Sequence, residues 1–219
     1  MSSKDGIWYP DGKIIEFLPD YVKSEKVYVG FWRRFFAGVL DLLILLPVVL
    51  ILVFVARSGK TWEITSSIAG LVIFTAYTII FCYRYGGTLG DIMLGIRITR
   101  PDGSRIGWNE SIARYIVPTI ISTEIAAVQA YALIAIDPVV FNAAGSYERQ
   151  YLVDLHTPGF QSLVDYLVLF WYLANMQTLI ANRRKRSLHD FIASTVVVYW
   201  PFSEHANPDW QAASQVSER

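Results

Sequence analysis

Four apolar runs, at roughly 34–56, 64–83, 112–136 and 163–181, constrain this chain more than any motif in it. Each holds about 20 residues or more, and at about 1.5 Å per residue a helix of that length covers a hydrocarbon core of about 30 Å. The composition agrees, with 53% hydrophobic and only 17% charged residues, well away from a soluble globular domain. The expected fold class is therefore an all-α membrane protein, a four-span transmembrane helical bundle carrying a small cytoplasmic β hairpin or sheet. Its expected divisions are an N-terminal arm at 1–29, a membrane domain at 30–200 and a tail at 201–219.

The third run, SIARYIVPTIISTEIAAVQAYALIAIDP, is the least regular, because Pro118, Glu124 and Gln129 interrupt it. Taken alone it also reads as a buried amphipathic or re-entrant segment. The basic residues favour a crossing. Lys and Arg gather in the N-terminal arm, in the 84–111 connection (Arg84, Arg97, Arg100, Arg105) and in RRKR at 183–186. If those stretches share one side, the chain crosses an even number of times between 111 and 183, and only the third and fourth runs supply the crossings. Four spans with both termini in the cytoplasm then leave just Arg57, Lys60 and Arg149 of the 19 basic residues outside, as the positive-inside rule requires. The polar first 29 residues hold no early apolar core, so the first span is expected to direct insertion.

Several function classes drop out. Lys plus Arg and Asp plus Glu both number 19, so no overall positive charge draws the chain to nucleic acid. The single cysteine, Cys82, lies in an apolar run and supports neither a disulfide framework nor a CxxC pair. No GxSxG, HExxH or phosphate-loop pattern occurs, so no catalytic residue, metal or cofactor is expected and the chain does not read as an enzyme. The outer connection at 137–162 carries Asp137, Glu148, Arg149, Asp154 and His156 without metal-ligand spacing and reads as a mixed polar loop. IRITR, PDGS and RIGW at 96–108 read as a strand, a turn and a return strand. WYPDGKIIEF at 8–17 holds a second such turn and TVVVYW at 195–200 a further strand; these three stretches are candidates for one small sheet.

The charges inside the runs are the candidate site. In GFWRRFFAGVLDLLIL at 30–45, Arg34 and Asp41 are separated by close to two helical turns and share a face with the small residues Ala37 and Gly38. Small residues there admit a close neighbour. Asp41 lies about 10 Å along the helix from Arg34, so its partner is expected from another span. An aspartate at that depth costs on the order of 2.5–3.5 kcal/mol and must face the interior, pair or lose its charge; holding helices together through one hydrogen bond is the plainer reading. Arg33 reads as an interfacial anchor. Glu124 is a second expensive carboxylate, and Asn175, Thr178 and Asn182 form a polar row that serves either interhelical hydrogen bonds or a cation or water path. After the last run, Ser187 and Asp190 are spaced to cap a short interfacial helix.

Arg34 with Asp41, GGTLGDIMLGIRI ahead of a DG turn, and RRKRSLHDFIASTVVV after the last run together resemble the RDD family of membrane proteins, named for one arginine and two aspartates. The resemblance covers most of residues 30–198 and places Arg34 as the family arginine, Asp41 as the first aspartate and Asp190 as the second. Two features depart from it. Asp91 stands where relatives often carry a basic residue, and the long third run with Glu124 has no counterpart in the family pattern. The resemblance implies a multi-pass protein of the bacterial cytoplasmic membrane with a proposed transport role, including monovalent cation/proton antiport. The site expected is then an ion- or proton-binding charge network of Arg34, Asp41, Asp190 and Glu124, with Asn175, Thr178 and Asn182 as polar lining. Four spans are a small scaffold for alternating access, so the expected partners beyond lipid, monovalent cations and protons are further copies of the chain or another membrane subunit. The alternative is an accessory or scaffold subunit in which these charges lock the fold.

Overall fold

The computed structural model describes residues 7–8, 14–15, 28–182 and 184–200. The expected tail at 201–219, most of the N-terminal arm and Arg183 of RRKR lie outside the described residues. In chain order the elements are β1 (Ile7–Trp8), β2 (Ile14–Ile15), α1 (Phe31–Ala56), α2 (Lys60–Tyr85), α3 (Leu89–Met93), β3 (Ile96–Thr99), α4 (Trp108–Ala135), α5 (Pro138–Ala143), α6 (Ser146–His156), α7 (Gln161–Ala181), α8 (Leu188–Ile192) and β4 (Val196–Tyr199).

Four of these helices, α1, α2, α4 and α7, are long and apolar enough to cross a membrane. The irregular third run is one continuous helix of 28 residues, with Pro118 inside it, and α1 likewise carries Pro47 through its middle. Large apolar side chains stay uncovered along all four, among them Phe36, Phe54, Ile120 and Phe170. In water so much bare apolar surface would drive association; against lipid tails it costs nothing. This is an all-α, four-span membrane protein with a small β component.

The described chain divides into two compact units. The first holds the start of α1 as far as Asp41, the end of α2 from Thr78, α3, β3, the start of α4 to Arg114, and everything from Ala174 onward. Within it β3 pairs antiparallel with β4, Ile96 opposite Tyr199 and Thr99 opposite Val196. Tyr28 bridges Val198 and the Val29 amide donates to the Val197 carbonyl at 3.0 Å, so the entrance to α1 and the last strand are tied together.

The expected single sheet is instead two separate pairs. Among the described residues β1 pairs with β2, Ile7 opposite Ile15 and Trp8 opposite Ile14. The expected return strand RIGW contracts to one bridge, Thr99 to Arg105, because α4 starts at Trp108 and the Glu110 carboxylate takes the Gly107 amide at 2.8 Å.

The second unit comprises the rest of α1, α2, α4 and α7 with α5 and α6. The expected polar loop is thus largely helical. Asp137 caps α5, accepting from the Val139 amide at 2.7 Å, and Pro138 fits the first helical position. Phe141 of α5 and Val153 of α6 bury themselves against Ala132, Leu133 and Ile136, which gives this unit its core. The basic residues here close helix ends: Lys60 Nζ donates to the Ile136 carbonyl at 2.6 Å, and Arg149 reaches the Arg57, Phe141, Asn142 and Ala144 carbonyls.

In the first unit α3 lies so close on α1 that a Cβ added to Gly90 would fall 2.1 Å from the Ala37 carbonyl oxygen. The small-residue face expected on α1 is therefore used at Ala37; Gly38 has nothing within 4 Å of a Cβ. Gly90→Ala is expected to destabilise the protein by at least about 2 kcal/mol through overpacking against a backbone that cannot yield, whereas Gly38→Ala should be neutral or slightly stabilising. Thermal unfolding of the two variants in detergent checks both; equal effects would refute the contact.

Candidate functional site

The first unit is organised around a carboxylate. Asp190, at the third position of α8, is fully buried. The Ser187 amide and hydroxyl donate to its Oδ2 at 2.9 and 2.7 Å, which is the expected capping arrangement. Arg34 Nη1 from α1 donates to the same oxygen at 2.7 Å, and Arg114 Nη1 from α4 pairs with Oδ1. Arg34 also donates from Nε to the Val29 carbonyl at 3.1 Å and from Nη2 to the Lys185 carbonyl at 2.5 Å. Lys185 and Ser194 both hold positive φ, 50° and 52°, a conformation that costs L-residues energy and persists where surrounding contacts enforce it. Arg186 completes the enclosure, donating to the Thr195 and Asp190 carbonyls at 3.1 and 3.2 Å, and Arg114 reaches the Thr195 hydroxyl at 3.0 Å.

Burial alone would push the Asp190 carboxyl up, but Arg114 and Arg34 outweigh it and hold the group well below the usual carboxylate range. The neighbouring His189 is lowered to about 3, first by burial and then by the Arg114 charge, against the pull of Asp190. It stays neutral and shares hydrogen bonds with Asn175 Oδ1 at 3.0 Å and the Ser187 hydroxyl at 2.9 Å.

Asp41 belongs to a different arrangement. The start of α3 supplies two of its partners: the Thr88 hydroxyl donates to Asp41 Oδ2 at 2.6 Å and the Gly90 amide to Oδ1 at 2.7 Å. Thr88 and Asp91 form a capping box at that helix start. Asp91 therefore serves its own short helix; burial raises its carboxyl pKa, opposed by Arg114 and the Thr88 amide. Arg33, read as a plain interfacial anchor, closes the other end of α3 by donating to the Leu94 carbonyl from Nε at 3.0 Å and Nη2 at 2.5 Å, and it lies over the Tyr199 ring. A carboxylate at the amino end and a guanidinium at the carboxyl end match the polarity of α3.

The structure thus joins Arg34 to Asp190 and gives Asp41 to α3. Glu124 lies in the second unit. Both of its carboxyl oxygens are shielded and accept no hydrogen bond from a described residue. Of the expected polar row on α7, Asn175 accepts from the His189 amide, the Thr178 hydroxyl donates to the Ala174 carbonyl of its own helix, and Asn182 receives the Arg184 amide. Arg114, Arg186 and Thr88 were not among the expected site residues. For Arg114 a signal existed, since it is an arginine just inside an apolar helix, and intramembrane charges demand a partner.

Four spanning helices, with an arginine–aspartate–arginine cluster that ties the starts of α1 and α4 to the segment after α7, define a multi-pass membrane protein with an internal charge lock. Residues 28–194 match the RDD family, so the chain belongs to that family. No curated protein and no solved structure matches the chain.

Asp190→Asn should destabilise the protein by about 3–5 kcal/mol, because two buried guanidiniums lose their counter-charge; an unfolding midpoint within error of wild type would show the cluster is not a lock. The pH dependence follows from the same groups. Unfolded His189 binds a proton near pH 6.5 but the folded side chain only near 3, so stability should fall as pH drops from about 6.5 toward 3. Asp190, depressed when folded, adds a further loss below about pH 4. Detergent melts from pH 8 to 4 should show the decline, and His189→Gln should flatten the part above pH 5.

Proposed function

We propose that the protein is a proton-coupled transporter of monovalent cations, with Glu124 as the exchanging group and Arg34, Asp41 and Asp190 as its frame. The observation that carries this is the Glu124 carboxyl: in a spanning helix, its two oxygens are buried and receive no hydrogen bond from a described residue. Such a group is expensive and earns its place by binding something. A carboxyl of this kind takes up either a proton or a cation such as Na⁺, and competition for it couples the two fluxes if access alternates. The family charges do not suit that task, since each is already engaged by the protein. Transport on this reading falls to Glu124, and the family charges are structural. No enzymatic chemistry is invoked.

We place the protein in a bacterial cytoplasmic membrane with both termini inside. The tie between Tyr28 and Val198 supports the same-side termini, and the basic residues support the cytoplasmic side. Four spans make a homo-oligomer or a partner subunit part of this reading.

A second reading has its own support. The satisfied Arg34–Asp190–Arg114 cluster and the Asp41 cap are what an accessory or scaffold subunit would need, with no ion at all. Proteoliposome flux separates the two. Wild type should show cation-dependent proton movement that Glu124→Gln abolishes while its melting midpoint is kept or raised, since a neutral amide replaces a buried carboxyl. A correctly oriented, folded wild type without flux would sink the transport reading and leave the scaffold.

A further inference from the structure

The end of α2 and the β3 turn line a small cleft within the first unit, open to solvent at its mouth. Three guanidinium side chains line it, Arg84, Arg97 and Arg105, together with Thr99, Tyr83 and Gly86. Arg97 is held in place: its guanidinium carbon lies 3.4 Å from the centre of the Trp200 ring, and its Cδ backs onto Gly86, where a Cβ would approach to 3.2 Å. Arg84 and Arg105 are exposed at the rim. Thr99 is 1% exposed, yet its hydroxyl makes no hydrogen bond to a described residue. A buried hydroxyl without a partner costs free energy unless something supplies one.

We propose that this cleft binds a phosphate group, with Arg84, Arg97 and Arg105 as cationic forks and the Thr99 hydroxyl as the inner donor. Guanidinium forks match phosphate oxygens in geometry as well as charge, and three of them exceed what one carboxylate would take up. The group can come from an anionic lipid or from a soluble phosphate. Its surroundings favour the lipid: Tyr83 stacks on Trp108 with ring centres 4.1 Å apart, both exposed, at the ends of two spanning helices. Paired aromatics at such ends sit at headgroup level. A headgroup phosphate there would meet basic residues at the depth where anionic lipids attract them. The site is independent of Glu124 and of any transport.

The test uses the full chain in a neutral detergent, titrated with short-chain phosphatidylglycerol, short-chain phosphatidylcholine and inorganic phosphate, following the tryptophan emission to which Trp108 and Trp200 contribute. Saturable binding of phosphatidylglycerol, at least about tenfold tighter than phosphatidylcholine, is expected, with inorganic phosphate competing. Saturation by inorganic phosphate and not by the lipid would support the cleft and assign the soluble source. Arg84→Gln/Arg105→Gln, both at the exposed rim, should weaken binding about tenfold, and Thr99→Val measurably. Arg100→Gln, an arginine of the same connection that pairs with Glu110 at 2.7 Å, should leave it unchanged. Equal binding of both lipids, no saturation by any probe, or an Arg100→Gln effect as large as the rim variant would overturn the proposal. Should the rim variant not fold, failure of inorganic phosphate to displace phosphatidylglycerol from wild type overturns it equally.

Discussion

The buried ion pair between Asp190 and its two arginines is the contact on which the first unit depends. Arg34 comes from the start of the first span, Arg114 from the start of the third and Asp190 from the segment after the fourth, so one carboxylate ties three elements that are remote in sequence. Removing such charges from water is costly, and hydrophobic replacement could be as stable. What the charges supply is a single geometry: a carboxylate receiving two guanidiniums, an amide and a hydroxyl has its bonding directions filled, and few alternative registers would satisfy all four donors.

The same economy explains the two arginines and the aspartate packed into the first span. Arg33 and Asp41 grip the two ends of α3, a five-residue helix too short to be stable alone, while Arg34 between them turns to Asp190. The backbone of Ala37 accepts the flat face of Gly90. One helix therefore seats both the connection after the second span and the segment after the fourth, and its charged side chains are used by the fold rather than left facing lipid.

The second unit solves its ends differently. Lys60 and Arg149 donate to carbonyls, Asp137 and Asn142 accept from helix amides, and a small apolar core around Phe141 covers the turn. Against that background the Glu124 carboxyl oxygens, like Gln161 Oε1, accept no hydrogen bond from a described residue, and such groups are the exception among buried polar atoms. That contrast, and not the presence of charge in the membrane as such, sets Glu124 apart from Arg34, Asp41 and Asp190.

The sequence by itself determined the class, the four spans, the short capped helix at Ser187–Asp190 and the strand character of 96–99 and 196–199, because lengths, hydropathy and local capping are fixed by nearby residues. It also pointed to the family through Arg34, Asp41 and Asp190. It did not determine that the strands form two pairs rather than one sheet, that the 137–162 connection is helical, or that Asp41 caps α3 while Arg34 reaches across to Asp190. Those outcomes rest on contacts between residues far apart in the chain, such as Arg114 with Asp190 and Lys60 with the end of α4, and periodicity carries no record of which remote partner a charge will meet. Only the tertiary structure decided that Arg34, Asp41 and Asp190 are bound within the fold, whereas Glu124 accepts no hydrogen bond from a described residue.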